Sequence, residues 1–335
     1  MVSSKHIPWY LQQSDLELSK KFKFIQNQED ERLREATNGT ANSRWSLGSS
    51  ILAKNDIRNR YVNIMPYERN RVQLDVVSGN DYINASYVKV DIHDQSINPG
   101  YYIATQGPTK HTWEQFWQMC YKECPHEHIV IVMVTPLEEF GKEKCFPYWP
   151  RNSSDPLKIS RKVQNLDGKG NTSEFASSLE IKYENGEKYG NDYTLTTMKL
   201  KPTDPAVGPE KTVYHFYFDQ WRDMRKPEEI VPIMQLCNHS HILNSSGNPI
   251  IVHCSAGVGR SGTFIALDHL THETIDFRDI KDNTIPAPDD DYKKDLVEQI
   301  VLQLRAQRMK MVQIKDQFTF IYHAARRLQE LTGSN

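Results

Sequence analysis

The chain lacks a long apolar run: the longest one, residues 129–134, is far shorter than the roughly 20 residues that a membrane-spanning helix needs. Its N-terminal residues, MVSSKHIPWYLQQSDLE, also lack the apolar segment of a signal peptide. We therefore expect a protein without a membrane span that resides in the cytoplasm, and a nuclear share stays open.

Cysteines are few, five in 335 residues, and the odd number argues against a disulfide framework and for a reducing compartment. Neither sign of charge is in excess, because 41 Lys and Arg face 43 Asp and Glu, so nucleic acid is not an expected partner. Internal repeats and a dividing linker are absent from the sequence. We expect one catalytic domain over residues 1–335, monomeric, with a core at about 20–330 and a helical extension at 1–36.

Strand-like runs fill the middle of the chain and helix-like segments fill its last third. This pattern predicts an α/β fold with mixed α+β character, in which helices flank a large, twisted, mostly mixed sheet. Residues 277–292, with two prolines and an acidic cluster, are expected to form a surface insert. The expected strands are 82–90, 101–105, 129–135, 158–163, 178–184, 192–200, 212–219 and 250–254, and the expected helices are 112–123, 228–242, 261–275, 293–307 and 315–331.

Residues 251–267, IVHCSAGVGRSGTFIAL, are the most informative stretch of the chain. The β-branched run before Cys254 is typical of a strand, and the apolar run after Gly262 is typical of the first turns of a buried helix. Between them, small residues let successive backbone N–H groups point into one concavity. Such a loop at a helix N-terminus binds phosphate.

Cys254 and Arg260 lie at the two ends of this loop. A helix N-terminus and a neighbouring arginine both favour the thiolate form of a cysteine. The guanidinium can bind two phosphate oxygens at once, so the pattern indicates a thiolate that attacks phosphorus while Arg260 and the loop amides hold the other oxygens. An inert buried cysteine would leave the arginine and the paired glycines unexplained.

The segment HCSAGVGRSG resembles the signature loop of the classical, non-receptor-type protein tyrosine phosphatases. Other segments resemble that family in the same order, from about residue 20 to about 330. The resemblance implies hydrolysis of phosphotyrosine in proteins through a cysteinyl-phosphate intermediate, without a cofactor or a metal. The matching segments include RNRYVNI at 58–64, NDYINASYV at 80–88, YYIATQGP at 101–108, TWEQFWQM at 112–119 and KCFPYWP at 144–150.

The family has a movable loop with the sequence Trp-Pro-Asp, and this chain has Trp221, Arg222 and Asp223 in that place. The resemblance assigns the general acid to Asp223, and Asp219 is the other candidate in the segment. Because arginine frees φ and adds a charge where the family has proline, we expect a different open–closed balance of this loop. Lys144 is expected to contact Asp223 when the loop closes.

The resemblance also implies a substrate site. Tyr61 would form the aromatic wall that makes the pocket deep enough for phosphotyrosine, and Asn63 would accept a hydrogen bond from the substrate backbone. Gln313 would position the water that hydrolyses the phosphocysteine. Ser261 would donate to the sulfur, act as a helix N-cap, or do both. The other expected substrate-binding residues are Ser255, Ala256, Gly257, Val258, Gly259, Gln317 and Trp221.

Further residues are expected to support the site without touching substrate. Glu139, or its neighbour Glu138, matches the carboxylate that pairs with the signature arginine and would orient Arg260. Tyr148 would form a hydrogen bond with His253, the residue before the nucleophile.

A cluster of four residues, Cys120, Cys124, His126 and His128, is close enough in sequence to suggest zinc. The segment TWEQFWQMCYKEC is amphipathic, however, so two cysteines on one buried helix face are the preferred interpretation.

Two other functions remain open at this point. A phosphotyrosine-binding relative without activity should have lost Cys254, Arg260 or Asp223, and this chain retains all three. A Cys/His hydrolase of the protease type would leave the arginine and the glycine-rich loop unexplained. We also expect reversible oxidation of Cys254, because a thiolate is the form that peroxide attacks.

Overall fold

The computed structural model describes residues 7–38, 43–93, 99–152, 155–164, 171–221, 230–272 and 293–332. Within these ranges a nine-stranded sheet lies between helices on both of its faces. The α-helices are α1 (Asp15–Thr37), α2 (Trp113–Glu123), α3 (Val231–Leu243), α4 (Gly259–His272), α5 (Leu296–Gln307) and α6 (Lys315–Thr332).

Thirteen strands are described, of which nine form the large sheet and four form two separate two-stranded sheets. They are β1 (Arg71–Gln73), β2 (Tyr82–Val90), β3 (Gly100–Thr105), β4 (His128–Met133), β5 (Glu138–Glu139), β6 (Lys142–Glu143), β7 (Leu157–Ile159), β8 (Lys162–Gln164), β9 (Asn171–Ser173), β10 (Leu179–Tyr189), β11 (Tyr193–Pro202), β12 (Lys211–Tyr217) and β13 (Ile250–His253).

The large sheet has a parallel centre and antiparallel edges. Its order is β1-β2-β3-β13-β4-β12-β11-β10-β7, and β13 is parallel to both of its neighbours, β3 and β4. The strand β4 is also parallel to β12, whereas the outer pairs are antiparallel. The sheet is therefore mixed, and β13, the last of the described strands, lies among its central strands.

Two apolar cores cover the two faces of this sheet, because successive side chains of a strand point to opposite faces. On β13, Ile250 and Val252 belong to the core that α1 and the helices α3 to α6 cover, while Ile251 belongs to the core beneath α2. Both faces of the central strands are thus buried, which is the reason that their sequences are continuous β-branched runs.

The N-terminal helix α1 begins with a capping box. The Ser14 hydroxyl accepts from the Glu17 N–H at 3.3 Å, and the Glu17 carboxylate accepts from the Ser14 N–H at 2.7 Å. Leu18 and Ile25 of this helix are buried in the first core. The predicted helical extension is therefore a helix that packs on the body of the protein.

The mixed sheet flanked by helices confirms the fold class that the sequence predicts, and most of the expected strands and helices are present with similar bounds. The expected strand 158–163 is wrong as one element, because it covers parts of β7 and β8, which belong to different sheets. The strand β10 also continues to Tyr189, beyond the expected end at 184. The predicted insert at 277–292 lies outside the described residues. In the described part of the chain, no helix is long and apolar enough to cross a membrane.

Candidate active site

The phosphate-binding loop lies at the carboxyl end of β13, in the middle of the sheet. Cys254 follows His253, the last residue of this strand, and α4 begins at Gly259. Ligands of α/β sheets bind beyond the carboxyl ends of parallel strands, and β13 is parallel to both neighbours. The fold thus puts the loop where such a sheet offers a crevice.

A cavity of about 200 Å³ opens above this loop. Most of its walls come from the loop itself and from the segment around Tyr61, nearly 200 residues earlier in the chain. The lining residues are Tyr61, Asn63, Ile64, Lys144, Cys254, Ser255, Ala256, Gly259, Arg260 and Gln313.

The sulfur of Cys254 accepts a hydrogen bond from its own loop. The N–H of Gly257 donates to Cys254 Sγ at 3.2 Å, and the side chain of Cys254 is almost fully buried. Gly257 has φ +76, and a Cβ atom there would collide with the Thr105 carbonyl, so only glycine fits this turn. The loop backbone thus fixes the position of the sulfur.

Other amides of the loop are free to bind a ligand. The N–H groups of Ser255, Ala256, Val258 and Gly259 make no hydrogen bond to other described residues. Since α4 begins at Gly259, its unsatisfied first turn and its dipole add to the attraction for an anion. This is the concave phosphate site expected from the small residues of the loop.

Arg260 is 1% exposed and is held from two directions. Its Nη1 donates to the Trp221 carbonyl at 2.7 Å and lies 3.6 Å from Glu139 Oε2. Glu138 is exposed, whereas Glu139 is buried, because the two residues alternate on β5. The carboxylate near Arg260 is therefore that of Glu139.

Arg308 is a residue of this site to which no role is assigned from the sequence. Its buried guanidinium donates to the carbonyls of Gly257 and Ala256, both at 3.0 Å, and to Asn84 Oδ1 at 2.8 Å and Ser86 Oγ at 3.1 Å. Burial lowers the pKa of Arg308 to about 10. Because Arg308 holds the carbonyls of Ala256 and Gly257, the N–H groups of the same peptide bonds point to the opposite side of the loop, away from Arg308. No local pattern in the sequence marks this residue, because Arg308 follows the end of α5 with extended backbone.

Tyr61 contacts the phosphate loop directly. Its hydroxyl lies 2.7 Å from Ser255 Oγ, and its half-buried ring forms a wall of the cavity. The N–H of Arg60 donates to Gln106 Oε1 at 2.8 Å, which fixes the Tyr61 segment against the strand end before the loop. Asn63 is exposed at the rim of the same cavity.

The two glutamines of the last segment differ in their surroundings. Gln313 lines the cavity. Gln317 is buried, and its Oε1 accepts from the N–H groups of Gln313 at 2.9 Å and Ile314 at 3.3 Å at the start of α6. Gln317 thus supports the backbone of Gln313 and does not line the cavity.

Ser261 is not the N-cap of α4, and that expectation is wrong. The helix begins at Gly259, and the Val258 carbonyl accepts from the Gly262 N–H at 3.0 Å, so Ser261 lies inside the first turn. Its hydroxyl is buried and has no hydrogen-bond partner among the described residues.

Tyr148 links two buried histidines behind the loop. Its hydroxyl lies 2.7 Å from His253 Nε2 and 2.8 Å from His215 Nε2. Because His253 Nδ1 faces the Cys254 carbonyl at 3.0 Å, Nδ1 must be the protonated nitrogen of a neutral ring. His253 Nε2 then accepts from Tyr148, whose oxygen accepts in turn from His215. Burial lowers the pKa of both histidines.

The predicted general acid, Asp223, lies outside the described residues, as do Arg222 and the expected contact of Lys144 with Asp223. Trp221, the residue before them, is fully buried and bonded to Arg260. Asp219, the other candidate acid, is exposed and does not line the cavity.

The four candidate zinc ligands lie partly in the interior and partly at the surface. Cys120 and Cys124 are buried in the core beneath α2, as the amphipathic pattern predicts, and burial raises the pKa of both thiols, to about 12 for Cys124. His126 is exposed and His128 is only half-buried, so the four side chains do not converge.

A cysteine and a buried arginine in a phosphate-binding loop, at the end of a central parallel strand, define a cysteine-dependent phosphatase. Comparisons identify the family: a model of the family "Protein-tyrosine phosphatase" matches residues 55–327. Tyrosine-protein phosphatase 1 of Saccharomyces cerevisiae is 65% identical over 328 residues, which cover 97% of this chain and 98% of that protein. Tyrosine-protein phosphatase 2 of Schizosaccharomyces pombe is 35% identical over 306 residues, which cover 90% of this chain and 38% of that protein.

A solved structure has the same fold. It concerns the structural basis of the PTPN18 fingerprint on distinct HER2 tyrosine phosphorylation sites, and it matches with a TM-score of 0.70 at 24% identity over 93% of this chain and 94% of that chain. The chain belongs to the protein-tyrosine phosphatase family, whose members hydrolyse phosphotyrosine in proteins through a cysteinyl phosphate. This confirms the family and the reaction that the sequence predicts.

Proposed function

We propose that the chain hydrolyses phosphotyrosine in proteins in two steps, in the cavity between Tyr61 and Cys254. In the first step the Cys254 thiolate attacks phosphorus, an S–P bond forms, and the bond from phosphorus to the tyrosyl oxygen breaks. The observation that carries this proposal is the sulfur in the cavity, with the Gly257 N–H at 3.2 Å and Arg260 in the same wall. Arg260 and the loop N–H groups would hold the three non-bridging oxygens.

Asp223 would donate the proton that the leaving tyrosyl oxygen needs. Its support is the likeness of residues 221–223 to the family loop and the hydrogen bond that anchors Trp221 on Arg260. Asp219, exposed and outside the cavity, is poorly placed for this role.

In the second step a water attacks phosphorus, the S–P bond breaks, and the thiolate and inorganic phosphate are released. Gln313, which lines the cavity, would position this water, and Asp223 would take its proton. The buried Ser261 hydroxyl would donate to the departing sulfur.

The substrate class follows from the aromatic wall. The Tyr61 ring would stack on the phenyl ring of phosphotyrosine, and Asn63 at the rim would accept a hydrogen bond from the peptide backbone. Phosphoserine is too short to bring its phosphorus to Cys254 from that rim.

We also propose that the protein acts as one catalytic domain, as a monomer in the cytoplasm, and on phosphotyrosine proteins without a nucleic-acid partner. The balanced charge and the few cysteines of the chain support this assignment.

The test is turnover of p-nitrophenyl phosphate and of a phosphotyrosine peptide in the presence of a chelator. The wild-type chain should hydrolyse both, and Cys254→Ser should hydrolyse neither. Cys124→Ser is the matched control, because that thiol is buried outside the cavity, and it should keep the activity. Activity of Cys254→Ser equal to that of the wild type would contradict the proposal.

The acid is tested separately with Asp223→Ala and Asp219→Ala. The first should lower kcat strongly and retain bound phosphotyrosine proteins, and the second should behave as the wild type. The reverse result would move the acid to Asp219.

A further inference from the structure

Three arginines surround one tryptophan at the surface of the protein. The guanidinium carbons of Arg32, Arg44 and Arg69 lie 4.8, 5.1 and 5.3 Å from the ring centroid of Trp45. Cation–π attraction to the indole offsets part of the repulsion between them. This group, here called the arginine cluster, concentrates positive charge on a chain whose net charge is −2.

The arginine cluster has no carboxylate within ion-pair distance in the described part of the chain. Three acidic side chains close to it in sequence have other partners. Glu29 lies 3.3 Å from Arg305, Glu68 lies 3.0 Å from Arg71, and Glu35 accepts from Ser43 Oγ at 3.1 Å.

Arg32 Nε donates to the Gln28 carbonyl at 3.3 Å and Arg69 Nη2 donates to the Ala306 carbonyl, so both donate to neutral partners. Because like charges are costly to hold together, three guanidinium groups without a carboxylate partner among the described residues form a site that an anion would stabilise.

The charges of the cluster act on one another. Burial is the largest cause of the lowered pKa of Arg69, and the positive charges of Arg44 and Arg32 lower it further. Beneath the indole, the Tyr67 ring packs edge-on against Trp45 at 5.4 Å. The Tyr67 hydroxyl is fully buried and has no hydrogen-bond partner among the described residues.

In sequence, Arg69 of the arginine cluster follows shortly after Ile64, a residue that lines the catalytic cavity. Ile64 lines the cavity, and Met65, the next residue, donates its N–H to Met309 Sδ at 3.5 Å. Met65 and Trp45 pack against the small core of Tyr67 and Met309. An extended chain covers at most about 3.6 Å per residue, so the Cα atoms of Ile64 and Tyr67 are no more than about 11 Å apart. A peptide needs only a few residues to cover that distance.

We propose that the arginine cluster binds the carboxylates of acidic residues that flank the phosphotyrosine, a few positions away from it. The protein would then select phosphotyrosine proteins with an acidic flank, each carboxylate meeting a guanidinium in a bidentate manner. This deepens the proposed function and rests on it, since the flank reaches the cluster only with phosphotyrosine in the cavity.

The experiment measures binding in the Cys254→Ser background, so that it needs no turnover. Three fluorescent phosphotyrosine peptides are titrated: one with neutral flanks, and one each with four glutamates on the N-terminal or the C-terminal side. Binding is compared in the presence and absence of the double change Arg44→Gln and Arg69→Gln. The matched control is Lys182→Gln, which removes an exposed positive charge from β10.

In the double variant, the Kd of one of the acidic peptides should rise about 10-fold, and the Kd of the neutral peptide should stay within about two-fold of its original value. Added salt should reduce the preference of the unchanged cluster for that peptide. Equal weakening of acidic and neutral peptides, or no weakening of either acidic peptide, would overturn the proposal. Hydrolysis of p-nitrophenyl phosphate by the wild-type chain, measured in parallel, reports on the proposed function alone.

Discussion

Arg308 Nε donates to the carbonyl oxygen of Gly257 at 3.0 Å, across 51 residues of sequence. With its second bond to the Ala256 carbonyl, this buried guanidinium fixes the side of the phosphate loop that faces away from the ligand. The direction of the loop amides therefore depends on a residue outside the signature segment.

Replacing Arg308 by lysine should lower the activity, although Arg308 itself does not line the cavity. An ammonium group cannot meet the four acceptors that the planar guanidinium meets, so loop peptides would be free to turn. We expect kcat/KM to fall about 100-fold and the free energy of unfolding to fall by about 2–4 kcal/mol. Kinetics with an aryl phosphate and urea denaturation check both, with exposed Arg326→Lys as the control; a variant with wild-type kcat/KM would refute the role.

Acid should destabilise the protein through His253. Burial lowers the pKa of His253 from 6.5 to about 4 in the folded state, so the unfolded chain binds the extra proton between these values. The contribution of neutral His253 to the free energy of unfolding is therefore fully present above about pH 6.5. It is lost as the pH falls towards 4, by about 2 kcal/mol between pH 7 and pH 5.

Urea denaturation at several pH values tests this dependence. His253→Gln should be less stable at pH 7, because it breaks the bond to Tyr148, and its stability should change less with pH. His111→Gln, on an exposed histidine, should keep the slope of the wild type. An unchanged slope in His253→Gln would assign the pH dependence to other groups.

Hydrogen peroxide should inactivate the protein at one cysteine. The structure supports this prediction from the sequence, because burial raises the pKa of Cys120, Cys124, Cys145 and Cys237 and keeps them as unreactive thiols. The Cys254 sulfur instead accepts a backbone N–H and lines the cavity.

Peroxide would take Cys254 to a sulfenic acid or a bond with a backbone nitrogen, both reversible by thiols. Activity should return with dithiothreitol, and mass spectrometry should find the modification on the peptide with Cys254. Modification spread over all five cysteines, or activity that peroxide leaves intact, would contradict the prediction.

Glu29 of α1 should support the second chemical step. Its buried carboxylate accepts from the Lys310 N–H at 3.0 Å and pairs with Arg305, which donates to the carbonyls of Met311 and Val312. These contacts hold a segment with φ of +58 at both Lys310 and Val312, directly before the cavity-lining glutamine.

Glu29→Gln should cost about 3 kcal/mol of stability, because it leaves a buried guanidinium without its charged partner. The looser segment should slow the hydrolysis of the phosphoenzyme more than its formation. Rapid mixing with p-nitrophenyl phosphate should then show a burst of nitrophenol before a slow steady state. The exposed Glu31→Gln serves as the control, and equal slowing of both steps would leave Glu29 a purely structural role.

Much of the fold was predictable because its signals are local. The apolar runs of the central strands and the helical spacing of α5 and α6 identify these elements by periodicity alone. Of the roles that the sequence leaves open for Ser261, the helix N-cap is wrong, because α4 already begins at Gly259. That boundary follows the tight turn of Gly257 against the Thr105 carbonyl, a contact between distant residues.

The chemistry of the reaction is determined by the sequence, since Cys254, the small loop residues and Arg260 form one continuous segment. Only the tertiary structure decides which groups surround that segment. Tyr61 reaches Ser255 across 194 residues, and the choice of Glu139 over Glu138 depends on the side of β5 that faces Arg260. Such contacts depend on how strands and helices pack, and no local pattern in the sequence encodes that packing.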